Sequence, residues 1–241
     1  MTATCSSTGT WLTGKNGNET HKRIIMNILI VSGGSLDLDF ASAYLLNKSF
    51  DHIIAADAGL AGCRDLGLMP TEILGDFDSL QDTDLVETYR DKGVPVRSFP
   101  ARKDNTDTDL ALQYAKELGA TDITVLGATG TRLDHTLGNI GFMVLLADAG
   151  IPCRIVDAHN ELEVLSGPVS RRYLKSATFP YFSLLALSEE AAGIDLVGFA
   201  YPLSKASLYI FTGQGISNEL AEEEGTIRLE KGKLLVIRSR D

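Results

Sequence analysis

Met26-Asn27-Ile28-Leu29-Ile30-Val31-Ser32-Gly33-Gly34-Ser35 is the first stretch of this 241-residue chain that reads as buried structure. Its apolar residues run on without the alternation of a half-solvated strand. That predicts a strand covered on both faces, and hence a parallel sheet flanked by helices. The two glycines at its end serve either a tight strand-to-helix turn or the close approach of a ligand to the backbone. Further along the chain the unit repeats. Strands are predicted over residues 52–56, 71–74, 94–99, 123–126 and 152–156, and helices over 39–48, 60–66, 82–91, 107–118 and 136–149. Phe40, Ala43, Tyr44 and Leu45 form the buried stripe of the first helix, and Leu110, Tyr114 and Leu118 that of the fourth.

Beyond Asp157 the pattern changes. Short apolar runs at 161–165, 170–174, 181–187, 193–197, 207–211, 225–229 and 234–238 are separated by Gly, Pro, Asn or Ser, with no helix of useful length between them. This spacing predicts a small antiparallel sandwich or barrel. The expected organisation is a leading extension (1–25), a mostly parallel-sheet α/β domain (26–157) and an antiparallel β-sandwich (158–241). The extension is rich in Thr, Ser, Gly and Asn, lacks the apolar core of a signal peptide, and holds the only Trp, Trp11. It is expected to be flexible.

The net charge of −10 argues against nucleic acid or an anionic membrane as partner, since both reward basic surface. It leaves room for a nucleotide whose phosphates arrive with Mg²⁺. Cys5, Cys63 and Cys153 are widely spaced and sit at no metal-ligand spacing, so free thiols in a reducing cytoplasm are expected. No apolar run approaches the ~20 residues that a membrane-spanning helix requires.

The chemistry is concentrated at strand ends. In Leu74-Gly75-Asp76-Phe77-Asp78-Ser79, two carboxylates one residue apart follow directly on an apolar run. Ligands of an open α/β sheet collect where strands end. Such a pair either holds a hard, oxygen-seeking cation or forms a surface turn capping the next helix. Asp57, Asp76 with Asp78, Lys103-Asp104 with Asp107, and Gly127-Ala128-Thr129-Gly130 with Arg132 occupy four successive strand ends. Structure alone does not gather charges that repel, so the set favours a metal–nucleotide site. Asp groups suit Mg²⁺, Lys103 and Arg132 suit phosphate oxygens, and the Gly-rich turn offers N–H groups at a helix start.

These residues resemble the thiamine pyrophosphokinase (thiamine diphosphokinase) family. The resemblance rests on Asp57-Ala58-Gly59, GDFDS at 75–79, KDNTD at 103–107, GATGTRLDH at 127–135, Asn139 and Gly215-Ile216-Ser217-Asn218. It runs from Met26 to the C-terminus. Ala58 departs from the second glycine common in the family, and the Trp that stacks on thiamine in animal members has no counterpart there. The resemblance implies an α/β nucleotide domain followed by a β-sandwich, a homodimer with its active site shared between subunits, and transfer of diphosphate from MgATP to thiamine. It implies Asp76, Asp78 and Asp104 on Mg²⁺, with Lys103 and Arg132 neutralising phosphate. Asp107 is implied as a site residue or simply the helix cap. Asp57, Gly127, Thr129, Gly130, Arg132, Asp134, His135 and Asn139 are implied around the nucleotide, and Ser217, Asn218 and Tyr201 around thiamine. A Mg²⁺-dependent phosphohydrolase with Asp76 as nucleophile and a non-catalytic nucleotide sensor are the alternatives.

Overall fold

The computed structural model describes residues 25–77, 80, 82, 84–98, 105–210 and 212–241. The expected extension, Trp11 included, lies outside them but for Ile25.

Strand β1 (Asn27–Val31) is fully buried from Ile28 onward. Its side chains alternate between two cores. Ile28 and Ile30 cluster with Ala111, Leu112 and Met143, while Leu29 and Val31 cluster with Ala41, Leu60 and Leu85. A strand with helices on both faces has no polar side, which is why its sequence is continuously apolar. Each large aliphatic side chain so buried contributes roughly 1.5–3 kcal/mol.

The chain continues through α1 (Leu38–Leu45), β2 (His52–Ala56), α2 (Gly59–Asp65), β3 (Glu72–Gly75), α3 (Asp84–Asp91), β4 (Val96–Ser98), α4 (Asp107–Glu117), β5 (Asp122–Leu126), α5 (Leu133–Asp148) and β6 (Cys153–Val156). These strands pair in parallel in the order β6-β5-β1-β2-β3-β4. The order reverses between β1 and β5, and that reversal opens a crevice beyond the strand ends. Helix α5 starts at Leu133, earlier than the 136 expected from its apolar stripe. Arg132 is its N-cap, and Asp134 lies in the first turn, where a carboxylate suits the helix dipole.

The second half contributes β7 (Asn160–Ser166), β8 (Val169–Leu174), β9 (Tyr181–Ala186), β10 (Glu190–Val197), β11 (Leu203–Tyr209), β12 (Asn218–Glu219), β13 (Glu224–Leu229) and β14 (Lys233–Ser239). Strand β7 pairs antiparallel with β6, setting Ile155 opposite Leu162. The large sheet therefore runs on across residue 157 as β12-β9-β14-β7-β6-β5-β1-β2-β3-β4. A four-stranded sheet, β11-β10-β13-β8, faces its antiparallel end. Between the layers lie Leu165, Phe182, Leu184 and Leu234 from one and Ile194, Leu196, Leu208 and Ile227 from the other. Phe182 meets Tyr173 and Phe199 edge-on. The sandwich is thus real, and one of its layers is the outer part of the sheet that carries the crevice.

Candidate active site

A crevice of about 600 Å³ lies at the switch point between β1 and β5. Its walls are the β1–α1 loop, Asp57 after β2, the first turn of α4, the β5–α5 loop and the start of α5.

The two main loops are laced together through their backbones. Ser32 N–H donates to Leu126 O at 2.8 Å, Gly34 N–H to Gly127 O at 2.7 Å, and Ser35 N–H to Thr129 O at 2.8 Å. Such approach leaves no room for side chains at the crossing. Gly127 has φ +67°, and a Cβ there would stand 2.3 Å from Ser32 O. A Cβ on Gly59 would stand 2.0 Å from Val31 O, so α2 reaches β1 only through glycine. The buried Asn139 of α5 supports the second loop from behind, its Nδ2 donating to Ala128 O at 2.8 Å. Thr129 Oγ1 donates to Asp157 Oδ2 at 2.9 Å. The hydroxyls of Ser32 and Thr108 share a hydrogen bond across the floor.

The acidic residues enter from the other strand ends. Asp57 is buried in the crevice wall at φ +48°, with its N–H on Leu74 O at 2.7 Å. Asp76 follows β3 directly and is half-buried, and the next residue, Phe77, sits at φ +61°. Left-handed backbone at a non-glycine residue costs of order 1–3 kcal/mol and persists only where surrounding structure enforces it. Asp107 is the first residue of α4 and lines the crevice. Capping falls to Thr106 instead, which exchanges hydrogen bonds with Asp109 in a capping box. Asp78, Lys103 and Asp104 lie outside the described residues. Among the described residues, no group of three His, Cys, Asp or Glu side chains is arranged to hold a metal. The donors at these strand ends are carboxylate and hydroxyl oxygens, a set that fits a hard cation such as Mg²⁺ and no soft metal.

At the crevice mouth Arg132 grips Asp134 with two hydrogen bonds, Nε to Oδ1 at 3.2 Å and Nη2 to Oδ2 at 2.5 Å. This contact holds Asp134 below the ordinary carboxylate range. Both side chains are about two-thirds exposed, so the guanidinium is oriented without being sequestered. His135 and Gly130, the latter in the loop that leads to Arg132, line the same rim and are exposed.

A second pocket, about 420 Å³, lies in the sandwich half. Leu184, Leu196, Leu203 and Ile216 give it an apolar lining, with Tyr201, Gln214, Ser217 and Asn218 as its amphipathic and polar groups. Asn218 is buried and makes three local hydrogen bonds, which use both acceptor positions of Oδ1 and one of the two N–H groups of Nδ2. Oδ1 accepts from the N–H groups of Tyr201 at 3.1 Å and Glu219 at 2.9 Å, while Nδ2 donates to Tyr201 O at 2.8 Å. Tyr201, 69% exposed, is thus fixed by its backbone with its side chain open to a ligand or partner. Ser217 sits at φ +62° with its N–H on Ser183 Oγ at 3.2 Å.

Sequence reasoning passed over Ser32, Ser35, Thr108, Asp157 and Gln214 as site residues. The Ser-Gly-Gly-Ser turn carried a signal for the first two. Thr108 and Gln214 carried none, because nothing in their spacing distinguishes a lining residue from a solvated one.

A doubly wound sheet with an oxygen-rich crevice at its switch point and a β-sandwich built on its edge defines a two-part α/β ligand-binding protein. The family model described as "Thiamin pyrophosphokinase, catalytic domain" matches residues 43–155, and that described as "Thiamin pyrophosphokinase, vitamin B1 binding domain" matches 172–234. The thiamine pyrophosphokinase of Bacillus subtilis (strain 168) is 35% identical over 189 residues, 78% of this chain and 87% of that protein. A crystal structure of the B. subtilis thiamine pyrophosphokinase superposes with a TM-score of 0.80 at 32% identity, covering 89% of this chain and 99% of that one. That from Geobacillus thermodenitrificans gives 0.77 at 34% identity, covering 90% and 98%. The chain belongs to the thiamine pyrophosphokinase family.

Proposed function

We propose that this protein transfers the diphosphate of MgATP to the hydroxyl of thiamine, giving thiamine diphosphate and AMP. The observation that carries the reading is the laced, glycine-walled crevice at the switch point, with acidic residues entering from neighbouring strand ends. The nucleotide lies there, its phosphates against the backbone of the two loops, with Arg132 and Lys103 in the role of neutralising their charge. Asp76, Asp78 and Asp104 hold Mg²⁺, which when bound supplies charge neutralisation on the polyphosphate. No covalent enzyme intermediate is required, so the residues act by positioning and by fixed charge.

Thiamine takes the second pocket, with Tyr201 against its ring and Ser217 and Gln214 at its polar edge, while Asn218 holds Tyr201 in place. Group transfer needs reacting atoms within about 3–3.5 Å. In the sheet, β9 at the second pocket and β5 at the first are four strand spacings apart, roughly 19 Å at ~4.8 Å each. This separation supports a homodimer in which the second pocket of one subunit faces the crevice of the other. The exposed Tyr201 and Ile216 of that pocket with Val197 beside Leu196, and Leu133, Leu137 and Leu145 on α5, are apolar surface for such a contact. Two buried, unbridged cysteines, Cys63 and Cys153, suit a cytoplasmic enzyme. Among the described residues no helix is long and apolar enough to cross a membrane.

Release of AMP from MgATP, measured with and without thiamine, tests the reading. Thiamine-dependent AMP in step with thiamine diphosphate is expected. Nucleotide binding without AMP marks a sensor, and phosphate release through a trapped phosphoenzyme at Asp76 marks a hydrolase. Either result overturns the proposal.

A further inference from the structure

Asp157 stands between β6 and β7, where the α/β half passes into the sandwich. Its Oδ1 accepts from His159 N–H at 2.8 Å, Asn160 N–H at 2.7 Å and Asn160 Nδ2 at 3.1 Å. Its own N–H donates to Asn160 O at 2.9 Å, closing the turn on itself. The C-terminal Arg240 ties the same turn down, its N–H on His159 O at 3.0 Å and its Nε on Ala158 O at 2.6 Å. From this anchored turn one bond leaves toward the crevice, the 2.9 Å contact between Asp157 Oδ2 and Thr129 Oγ1.

Thr129 sits in the loop 127–130, which is otherwise held by the N–H groups of Gly34 and Ser35 and by Asn139. Those bonds all reach its backbone. Asp157 alone among these partners fixes a side chain of the loop, and so fixes its rotation about the strand end. The donated proton also commits the Thr129 hydroxyl. With that proton on Asp157, an incoming phosphate meets the N–H groups of the loop and not the Thr129 O–H.

We propose that Asp157 is a positioning residue for nucleotide binding, acting through Thr129 to hold the loop 127–130 in its phosphate-accepting shape. The inference rests on the nucleotide reading of the crevice. It makes the sandwich-side turn part of the nucleotide site without any contact to the nucleotide.

The test is calorimetric binding of a non-hydrolysable MgATP analogue to the full chain without thiamine. Asp157→Ala and Thr129→Val are each expected to weaken binding about tenfold, the loss of one charge-assisted hydrogen bond. The double variant is expected to be no weaker than either single one, because both remove the same contact. Asp157→Asn keeps acceptors for the turn and a polar partner for Thr129, and is expected to recover most of the lost affinity. Thr129→Val leaves the turn untouched, so it decides the matter if Asp157→Ala does not fold. A merely structural Asp157 lowers Tm with analogue affinity unchanged, and that result overturns the inference. So do losses that multiply in the double variant. If the wild-type protein itself binds no analogue, the nucleotide reading falls and the inference with it.

Discussion

The crevice and the sandwich pocket differ in what lines them. The crevice is made of main chain: two loops share backbone hydrogen bonds, glycines stand where a Cβ has no room, and Asp57 and Phe77 are held left-handed. The sandwich pocket is lined mainly by side chains, aliphatic ones from β9, β10 and β11 set against the loop 214–217, and its buried amide holds Tyr201. A site of fixed backbone dipoles is preorganised for charge. A site of aliphatic walls and one projecting aromatic selects shape, and here it leaves its anchor uncovered. Under the proposed function the two halves divide the work, chemistry to the first and recognition to the second.

The sharpest way to break this division is to remove charge from the crevice. Asp76→Asn preserves volume and hydrogen-bonding capacity, so Tm without nucleotide is expected to stay near wild type. Turnover is expected to fall about 10²–10³-fold, as for other preorganised electrostatic groups. Normal kcat at low Mg²⁺ would remove Asp76 from the site.

Subunit mixing asks whether the two pockets meet across copies. Asp76→Asn disables one half-site and Tyr201→Ala the other. Random exchange makes about half of the dimers mixed, each with one intact site of two, so activity is expected to return to roughly one quarter of wild type. No recovery, with exchange confirmed by mass spectrometry, shows that each subunit builds its site alone.

Recognition should respond more gently. Asn218→Ala frees the Tyr201 backbone and leaves its N–H and C=O to find other partners, at a stability cost of about 1–3 kcal/mol. KM for thiamine is expected to rise about tenfold while KM for MgATP stays put. A parallel rise in both constants would mean that the two pockets are not separable.

Much of the crevice was legible because charge at a strand end has few structural uses. The continuous apolarity of β1, the acidic loops and the Gly-rich turn each carried a local signal. Asp157 did not, since its role depends on Thr129, a residue 28 positions away that only strand pairing brings near. The continuity of the large sheet was hidden for the same reason. Nothing in residues 160–166 states that they pair with β6 as well as β14. Strand β12 is two residues long, too short for any periodicity. The boundary of α5 was missed because its first turn, Leu133 to Thr136, is exposed or lines the crevice and buries no apolar side chain, so the apolar stripe begins later than the helix.

The smallest expected effect concerns the Arg132–Asp134 pair. Both partners are largely in water, so their attraction is screened and adds little to folding. Its sign is nevertheless fixed. The hydrogen bond from Arg132 lowers the Asp134 pKa in the folded protein, so the pair's contribution is present above the ordinary carboxylate titration. It is lost as pH falls through the lowered value. Asp134→Asn is therefore expected to leave Tm at neutral pH unchanged within error. Its consequence falls on the ligand. Without the carboxylate, Arg132 samples more rotamers and must be ordered when phosphate arrives, which raises KM for MgATP by about threefold. High salt, which loosens the wild-type pair, should bring the two proteins together. A Tm lowered by several degrees would instead make the pair part of the fold, and equal KM values at low salt would show that Arg132 needs no orienting partner.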